Sequence, residues 1–483
     1  MADQYRKLHI VVFPWLAFGH MLPALNFSFL IARKGHKISF LSTSRNIDRL
    51  PKLPPDLEKF VTFVEFSLPR NQNLPENAEA ASDIPDEKVK YLQLAYDGLK
   101  EPIEEFLQKT SPDWVFHDYV PYWLPSIASK LEINTAFLST FNASTLGYLG
   151  PASNLNGTED SGRKKVEDFT VKPEWVPFHT AIYPKYFEVV RNAIAITGSE
   201  ESVADFYRCA CCIESCDIIA VRSCFEFEPE WLKLLEELHQ KPIIPIGLIP
   251  ITDEFATSIS NNTNASNWSF IKEWLDKQKK GSVVYISFGS EAKLNQADLT
   301  EIALGIEFSG FPFFWVLKMK RGDGDNDKIQ LPHFFEDRTK DRGMVYTSWA
   351  PQLQILNHES VGGFFTHCGW SSIVEALQFG KPMILFPFAG DQPLNSRMLE
   401  EKKLGFPVPR DEFDGSFTMN SVSDSLKLIM TGEEGNIYRD RVREMNRVLF
   451  DHGVQDHYVE NLLAFLQNYK KIQVGISDQR QNS

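Results

Sequence analysis

The sequence predicts an α/β protein built from two doubly wound domains, each with a parallel sheet. The chain has 483 residues, roughly three times the length of one ordinary domain. Its 43% hydrophobic and 24% charged residues are typical of a globular protein with sizeable cores. Short apolar runs alternate with helical patterns in both halves. That alternation indicates parallel strands connected by helices that cover the sheet.

The first half opens with strand, loop and helix. Its strand-like runs are residues 9–15, 37–43, 61–67 and 114–118. A helical pattern follows the first run and stops at Gly35, and a second, from about 88 to 109, precedes the last run. Because buried parallel strands are apolar throughout, these runs predict a sheet covered on both faces.

The segment 252–269 is dense in Ser, Thr and Asn and predicts a linker, after which strand-like runs return at 282–289 and 311–318. We expect a first domain at 1–245, a linker at 246–269, a second domain at 270–455 and, at 456–483, a helix that packs back on the first domain. Two such domains offer a ligand the cleft between the carboxyl edges of their sheets.

Charge and hydropathy exclude several partners. The chain has 50 Lys and Arg against 64 Asp and Glu, a formal charge of −14, which disfavours nucleic acid and anionic membranes. No apolar stretch approaches the roughly 18 residues of a membrane span, and the amino terminus does not resemble a signal peptide. We expect a cytoplasmic monomer without an integral membrane segment.

The six cysteines allow two interpretations. Cys209, Cys212 and Cys216 would share one face of a helix and could ligate a metal. However, no second Cys or His cluster follows at zinc-ligand spacing. Buried structural thiols in a reducing compartment are therefore the favoured interpretation.

The most informative stretch runs from Trp349 to Gln392 and parses into helix, strand, tight loop, helix, strand and polar loop. A helix that follows a strand and a Gly-containing turn offers backbone N–H groups to a phosphate. Ser372 and Glu375 have the spacing of a capping box, and Trp349 offers a flat face to a base. Taken singly, each feature also fits an ordinary helix start or a core position.

Taken in order, the landmarks W-A-P-Q, H-C-G-W, E and D-Q make this stretch resemble the signature box of the plant family 1 UDP-glycosyltransferases. The resemblance extends to P-W-L-A-F-G-H near the amino terminus, to W-V-F-H-D-Y, to S-F-G-S at 287–290 and to the two-domain layout. It implies a fold of the GT-B type, with the acceptor bound by the first domain and the UDP-sugar by the second.

The resemblance implies a nucleotide site within the box. Trp349 would stack on the uracil, and the backbone of Ala350 would hydrogen-bond to its edge. Gln352 and Glu375 would hold the ribose.

The rest of the implied site surrounds the diphosphate and the donor sugar. The residues around the diphosphate would be Ser290, His367, Gly369, Trp370, Ser371 and Ser372. Asp391 and Gln392 would bind hydroxyls of the sugar. Many family members have Asn where this chain has Ser371. This residue therefore departs from the family pattern, and its side-chain contact to the phosphate would differ.

Transfer also needs a base, because an acceptor hydroxyl is a poor nucleophile until its proton is removed. His20 follows the first strand and Asp118 ends a strand at the same sheet edge, an arrangement that suits a base and its orienting carboxylate. Spacing alone would leave His20 a surface or core residue. The resemblance implies that it is the base and Asp118 its partner. His117 competes, but alternation along a strand sends it to the other face.

We expect inversion at the sugar, transfer without a metal or other cofactor, and UDP-glucose as donor, because the D-Q ending is associated with glucose users. The acceptor would be a small plant metabolite, as an aglycone or a glycoside. The variants H-C-G-W-S-S and F-A-G-D-Q-P-L-N-S-R, together with D-Y-V-P-Y-W-L-P, resemble the branch that extends a sugar on a flavonoid or terpenoid. The alternatives are UDP-rhamnose or UDP-xylose as donor, a non-catalytic UDP-sugar-binding protein, and a sugar-nucleotide epimerase or hydrolase. Hydrolase-elbow, P-loop, dinucleotide and zincin motifs are absent from the sequence.

Overall fold

The computed structural model describes residues 6–156, 163–198, 202–252, 255–256, 265–289, 292, 294–317 and 330–481. Contacts divide the chain into two compact units. The first comprises Met1–Ser161, Ala195–Ser258 and Phe450–Ser483, and the second comprises Gly162–Ile194 and Ile259–Leu449. Within the described residues, no helix is long and apolar enough to cross a membrane.

The strands alternate with helices along most of the chain. In chain order they are β1 His9–Phe13, β2 Lys37–Ser42, β3 Val61–Glu65, β4 Trp114–His117, β5 Asn134–Ser139, β6 Ile218–Val221, β7 Ile243–Pro245, β8 Val283–Ser287, β9 Phe313–Val316, β10 Gly343–Tyr346, β11 Val361–Thr366, β12 Met383–Leu385 and β13 Gly405–Pro407.

The helices of the first half are α1 Phe18–Arg33, α2 Ser44–Arg49, α3 Val89–Asp97, α4 Lys100–Thr110, α5 Leu124–Lys130, α6 Ala143–Leu149, α7 Tyr186–Arg191, α8 Ala193–Thr197, α9 Asp205–Ser215 and α10 Pro229–His239. Those of the second half are α11 Ala265–Asp276, α12 Gln296–Ser309, α13 Phe335–Thr339, α14 Gln352–Asn357, α15 Trp370–Gln378, α16 Gln392–Glu401, α17 Met419–Met430, α18 Asn436–Leu449 and α19 His452–Gln481. Short 3-10 turns lie at Ala81–Asp83, Asp86–Lys88, Ala152–Asn154 and Val166–Phe169.

Both sheets are parallel and share one strand order. Among the described residues, the first unit has a seven-stranded sheet in the order β3-β2-β1-β4-β5-β6-β7. The second has a six-stranded sheet in the order β10-β9-β8-β11-β12-β13. The strand order reverses between β1 and β4 in one sheet and between β8 and β11 in the other. Ligands of such sheets bind at the carboxyl ends of the strands beside this reversal.

The fold class predicted from the sequence is confirmed. The strands β1 and β4 are buried on both faces because helices cover the sheet, which explains their continuous apolar sequence. The helical stretch expected from about 88 to 109 divides into α3 and α4 at Gly98. A Cβ at Gly98 would lie 2.7 Å from Pro69 Cγ, so the break also permits close packing.

Residues 163–194 pack on the second unit, although they lie within the range 1–245 that the sequence suggested for the first domain. Polar contacts explain this position. Thr180 Oγ1 donates to Glu401 Oε2 at 2.9 Å, and Lys185 Nζ donates to the carbonyl of Arg410 at 3.0 Å. The boundary therefore differs from the expected one because residues 163–194, from the first half of the sequence, belong to the second unit.

The start of the expected linker, residues 246–252, is packed on the first unit. Asn26 Nδ2 donates to the carbonyls of Ile249 and Pro250 at 3.3 and 3.0 Å. The terminal helix α19 also belongs to this unit: Tyr458 Oη donates to Glu226 Oε2 at 2.7 Å, and the Tyr469 ring lies 5.1 Å from that of Trp114.

Candidate active site

His20 and Asp118 meet at the carboxyl edge of the first sheet. Register places Phe13, the last residue of β1, beside His117, the last residue of β4. The two chains therefore leave the sheet side by side, β1 towards α1 with His20 in its first turn, and β4 directly into Asp118. His20 Nδ1 lies 2.7 Å from Asp118 Oδ2. The structure thus joins the two residues at the point where the strand order reverses.

The Asp118 carboxylate is held ionised in a buried position. Its side chain is only 3% exposed. Burial acts to raise the pKa of Asp118, but His20 and the hydrogen bonds from His20 and from the backbone N–H groups of Trp15 and Tyr119 outweigh it, and the pKa falls below its ordinary value. A carboxylate fixed in this way orients the imidazole and stabilises its protonated form.

His117 has different surroundings. It is fully buried, its Nδ1 donates to the carbonyl of Asp118 at 2.8 Å, and its ring stacks on Phe137. Burial lowers its pKa to about 4, so the ring is neutral at physiological pH. His20, with 17% of its side chain exposed, is the histidine that a substrate can reach.

Polar groups that the sequence did not single out lie near His20. Gln93 Nε2 donates to Asp205 Oδ1 at 2.6 Å, and Ser202 Oγ donates to Gln93 Oε1 at 3.0 Å. Burial raises the pKa of Asp205, although Gln93, Arg208 and His20 act in the opposite direction, so His20 lies within electrostatic reach. Only the fold brings these residues from α3 and α9 together, so the sequence gives no spacing signal for them.

The helix α9 is anchored beside Asp118 by its buried face. Cys212 Sγ donates to the carbonyl of Tyr119 at 3.3 Å. Arg208 is fully buried, pairs with Asp97 at 2.6 Å and donates to the carbonyl of Val120 at 2.9 Å. These contacts fix the first turn of α9, where Asp205 lies.

The cysteines are free; Cys209 and Cys212 are buried on α9, and Cys216 is buried at the cap that follows it. Burial raises the pKa of each thiol, that of Cys216 to about 11. These thiols are therefore protonated at physiological pH and unreactive. No group of three or more potential metal ligands lies within the described part of the chain.

In the second unit, polar side chains from the start and the middle of the stretch 349–392 meet at Gln352. Its Oε1 accepts from Tyr285 Oη at 3.2 Å, and its Nε2 donates to Ser372 Oγ at 3.0 Å and to Glu375 Oε2 at 2.7 Å. Three polar side chains from α14 and α15 therefore form one cluster, with a carboxylate that can accept from vicinal hydroxyls.

The capping box expected between Ser372 and Glu375 is wrong. The helix α15 begins at Trp370 with Gly369 as its N-cap, and that cap has no side-chain hydrogen bond. Cys368, just before this cap, has a positive φ of 67°. Ser372 and Glu375 consequently lie within the first two turns, where both side chains accept from Gln352 instead of capping.

The loop between β11 and α15 brings His367 against two glycines. A Cβ added to Gly289 or to Gly369 would lie 2.9 or 2.5 Å from His367 Nε2, so neither position admits a larger residue without a shift. Burial lowers the pKa of His367 to about 4, and the neutral ring can donate one hydrogen bond. Ser290 lies outside the described residues. Ser371 and Ser372 lie in the first turn of α15, whose N–H groups have no acceptor within the helix.

Two further expectations concern aromatic residues. Trp349 is 40% exposed, so it is not a core residue. Ala350 beside it is buried, at 8% exposure. Trp370 is 4% exposed, so its side chain packs inside the unit.

Asp391 and Gln392 lie where β12 leads into α16, in the loop 388–392. Gln392 Oε1 accepts from the backbone N–H groups of Phe388 and Ala389 at 2.9 and 3.3 Å. Asp391 Oδ2 accepts from Asn395 Nδ2 at 2.8 Å, and the same nitrogen donates to the carbonyl of Cys368 at 3.0 Å. Asn395, which sequence reasoning missed, therefore links this loop to the loop of His367.

Comparison with known proteins decides the family. A model described as "UDP-glucoronosyl and UDP-glucosyl transferase" matches residues 253–456. The chain is 50% identical to UDP-glycosyltransferase 91A1 of Arabidopsis thaliana, over 95% of this chain and 97% of that protein. It belongs to the plant family 1 UDP-glycosyltransferases. The resemblance inferred from the signature box is thereby confirmed, and the chain is a glycosyltransferase enzyme.

A more distant relative and a solved structure extend the comparison. The UDP-glycosyltransferase chain is 37% identical to the soyasaponin III rhamnosyltransferase of Glycine max, over 96% of each chain. It also matches Phytolacca americana UGT2, solved with UDP-2-fluoro-glucose and pterostilbene. That match has a TM-score of 0.73 and 25% identity, over 95% of this chain and 100% of the other. The GT-B type expected for the fold agrees with this likeness.

Within the glycosyltransferase, Lys381 is the sole Lys or Arg of the signature box, residues 349–392. Its Nζ donates to the carbonyls of His358 and Val361 at 3.2 and 2.8 Å, and burial lowers its pKa to about 8. Val361 starts β11, whereas His367 follows the end of that strand. The ammonium therefore supports the amino edge of the sheet and does not belong to the cluster around α15.

Proposed function

We propose that this enzyme is an inverting glycosyltransferase that moves glucose from UDP-glucose to a hydroxyl of a small plant metabolite. The observation that carries the proposal is the hydrogen bond between His20 and Asp118. His20 Nε2 takes the proton of the acceptor hydroxyl while Nδ1–H donates to the Asp118 carboxylate. The acceptor oxygen bonds to the anomeric carbon, and the bond from that carbon to the diphosphate oxygen breaks. Attack from the face opposite UDP inverts the configuration.

We propose that the second unit holds the donor. Trp349 stacks on the uracil, Ala350 bonds to its edge, and Gln352 and Glu375 hold the ribose. The exposure of Trp349 and the contact between Gln352 and Glu375 support these roles.

The proposed diphosphate site lies at the start of α15. Its groups are Ser290, His367, Gly369, Trp370, Ser371 and Ser372. Helix N–H groups and the His367 ring stabilise the departing diphosphate, and we propose that no metal takes part. Chelator-treated enzyme should retain full turnover.

Asp391 and Gln392 bind hydroxyls of the donor sugar in this proposal. Gln392 Oε1 already accepts from the loop backbone, so its amide nitrogen is the group that donates to the sugar. The D-Q ending supports glucose. The relative from Glycine max, a rhamnosyltransferase by name, supports the alternative of UDP-rhamnose, and UDP-xylose is a third candidate.

The proposed acceptor hydroxyl belongs to a sugar already attached to a flavonoid or terpenoid. The linked carboxylate and amide of Asp205 and Gln93, within reach of His20, support this choice. Carboxylate and amide groups hydrogen-bond to the several hydroxyls of a sugar, and a site built on such bonds favours an acceptor that carries those hydroxyls. Buried free thiols suit the proposed cytoplasmic setting, and we propose that the enzyme acts as a monomer.

One experiment tests donor and acceptor together. A panel of UDP-glucose, UDP-rhamnose and UDP-xylose is crossed with aglycones and their monoglucosides, and products are identified by mass spectrometry. We expect UDP-glucose with monoglucosides to give the fastest transfer. Transfer to aglycones but not to their monoglucosides would contradict the proposed glycoside acceptor. Release of UDP in the absence of any acceptor would indicate a hydrolase.

A further inference from the structure

The side-chain amide of Asn192 is hydrogen-bonded to both backbone groups of Gly390. Its Nδ2 donates to the Gly390 carbonyl at 3.2 Å, and the Gly390 N–H donates to its Oδ1 at 2.8 Å. Gly390 has a φ of +66°, which other residues rarely adopt. The amide therefore holds the peptide groups on both sides of a residue that immediately precedes Asp391.

Asn192 is itself fixed because it follows α7, in a segment that is docked on the second unit. Within that segment the backbone N–H of Phe187 donates to the carbonyl of Glu412 at 3.3 Å, and the Phe187 ring lies 4.6 Å from the Arg410 guanidinium. Glu188, 1% exposed, lies 3.4 Å from Arg397 on α16. Two elements of the second unit thus anchor α7, and the anchor ends at the amide that binds Gly390.

The rest of the loop 388–392 is held from other directions. The side chain of Gln392 binds the backbone of Phe388 and Ala389, and Asn395 binds the Asp391 carboxylate. Gly390 is the position of this loop whose backbone carbonyl and N–H both bind Asn192.

We propose that Asn192 is a positioning residue for the donor sugar: it fixes the loop 388–392 so that Asp391 and Gln392 meet the hydroxyls of the UDP-bound sugar. This inference rests on the proposed donor site. Asn192 lies outside the signature box, and it acts through Gly390. Loss of its two hydrogen bonds releases the loop at its glycine. Contacts to the sugar weaken as a result, whereas Trp349, Gln352 and Glu375 are unaffected.

The test compares Asn192→Ala with Thr180→Val. Asn192→Ala removes both bonds to Gly390. Thr180→Val removes an anchor of the same segment at Glu401, away from the loop, and serves as the matched control. We expect kcat/KM for UDP-glucose to fall about tenfold in Asn192→Ala and to stay unchanged in Thr180→Val. The Kd of UDP, which lacks the sugar, should be unchanged in both variants.

Asn192→Asp and Gln392→Ala complete the set. The aspartate can still accept from the Gly390 N–H but opposes its carbonyl, so we expect a loss similar to that of the alanine variant. Unchanged kcat/KM in Asn192→Ala, or an equal loss of affinity for UDP, would overturn the role of Asn192. If Gln392→Ala also leaves donor kinetics unchanged, the proposed sugar site itself is wrong. A loss in Gln392→Ala alone rejects only Asn192.

Discussion

His20 and Asp118 are separated by 98 residues in sequence, yet His20 Nδ1 and Asp118 Oδ2 lie 2.7 Å apart. The pair forms because β1 and β4 are neighbours in a parallel sheet and both chains leave at the same edge. His20 belongs to the helix that follows one strand and Asp118 to the loop that follows the other. The sheet therefore builds a base and its orienting carboxylate at the place where such folds bind ligands.

Replacement of His20 by Ala should abolish transfer and leave UDP binding intact. Loss of a general base lowers turnover by about 10²- to 10⁴-fold, because the acceptor hydroxyl keeps its proton. The measurement is kcat with UDP-glucose and a glycoside acceptor, beside UDP affinity by calorimetry. His457→Ala, at an exposed position of α19 in the same unit, is the matched control. Full turnover in His20→Ala would reject its role as base.

Replacement of Asp118 by Asn should destabilise the fold in a pH-dependent way. The native pKa of Asp118 lies below its ordinary value, so its ionised form stabilises the native state. That contribution is complete above about pH 5 and is lost as the pH falls below roughly 4, through the lowered native pKa.

The corresponding measurement is the free energy of unfolding for wild type and Asp118→Asn between pH 3 and pH 7. Hydrogen bonds to a buried charge predict a difference of about 1.5–3 kcal/mol at neutral pH that shrinks towards pH 3. A difference that does not change with pH would show that the Asp118 charge makes no such contribution.

Much of this architecture could be predicted because it depends on local patterns. The apolar runs identified β1, β4 and β8, and their order along the chain indicated that His20 and Asp118 share an edge. The contacts of Asn192 with Gly390 and of Gln93 with Asp205 could not be predicted, since each joins residues about 110 to 200 positions apart with no spacing that marks them.

The wrong capping box has a local cause. The spacing of Ser372 and Glu375 satisfied the motif, but the helix starts at Trp370, three residues earlier than a cap at Ser372 requires. Motif spacing cannot reveal the turn before that start, in which Cys368 has a positive φ. A sequence pattern thus located the helix correctly and misjudged the partners of its first turns.

Replacement of Lys381 by Met should not weaken UDP binding. Its ammonium is occupied by the carbonyls of His358 and Val361 at the amino edge of the sheet. Met is neutral and of similar length, and the measurement is the Kd of UDP. A tenfold weaker Kd in a variant of unchanged melting temperature would contradict this placement.

Added salt should have little effect on UDP affinity. The proposed diphosphate site uses helix N–H groups and the neutral His367 ring in place of charged side chains. Salt therefore has few cationic side chains to screen. We expect the Kd of UDP to change less than about threefold between 50 mM and 500 mM NaCl. A steep loss of affinity across that range would indicate charged Lys or Arg contacts in the site.

Replacement of Asp205 should weaken binding of the acceptor and leave binding of the donor unchanged. Asp205→Asn removes the charge but keeps an oxygen for Gln93, whereas Asp205→Ala removes the group altogether. Because a hydrogen bond from a sugar hydroxyl to a carboxylate is among the stronger ones, we expect KM for a monoglucoside acceptor to rise by about 10- to 100-fold in the alanine variant. The asparagine variant should show a smaller rise.

The controls separate acceptor recognition from a general defect. Asp56→Asn, at an exposed position of the same unit, should leave both the KM for the acceptor and the Kd of UDP unchanged. The Kd of UDP should be unaltered in every variant, because Asp205 belongs to the first unit and the nucleotide residues to the second. If KM for the acceptor does not change in Asp205→Ala, the carboxylate does not bind the sugar, and Gln93 merely stabilises the first turn of α9.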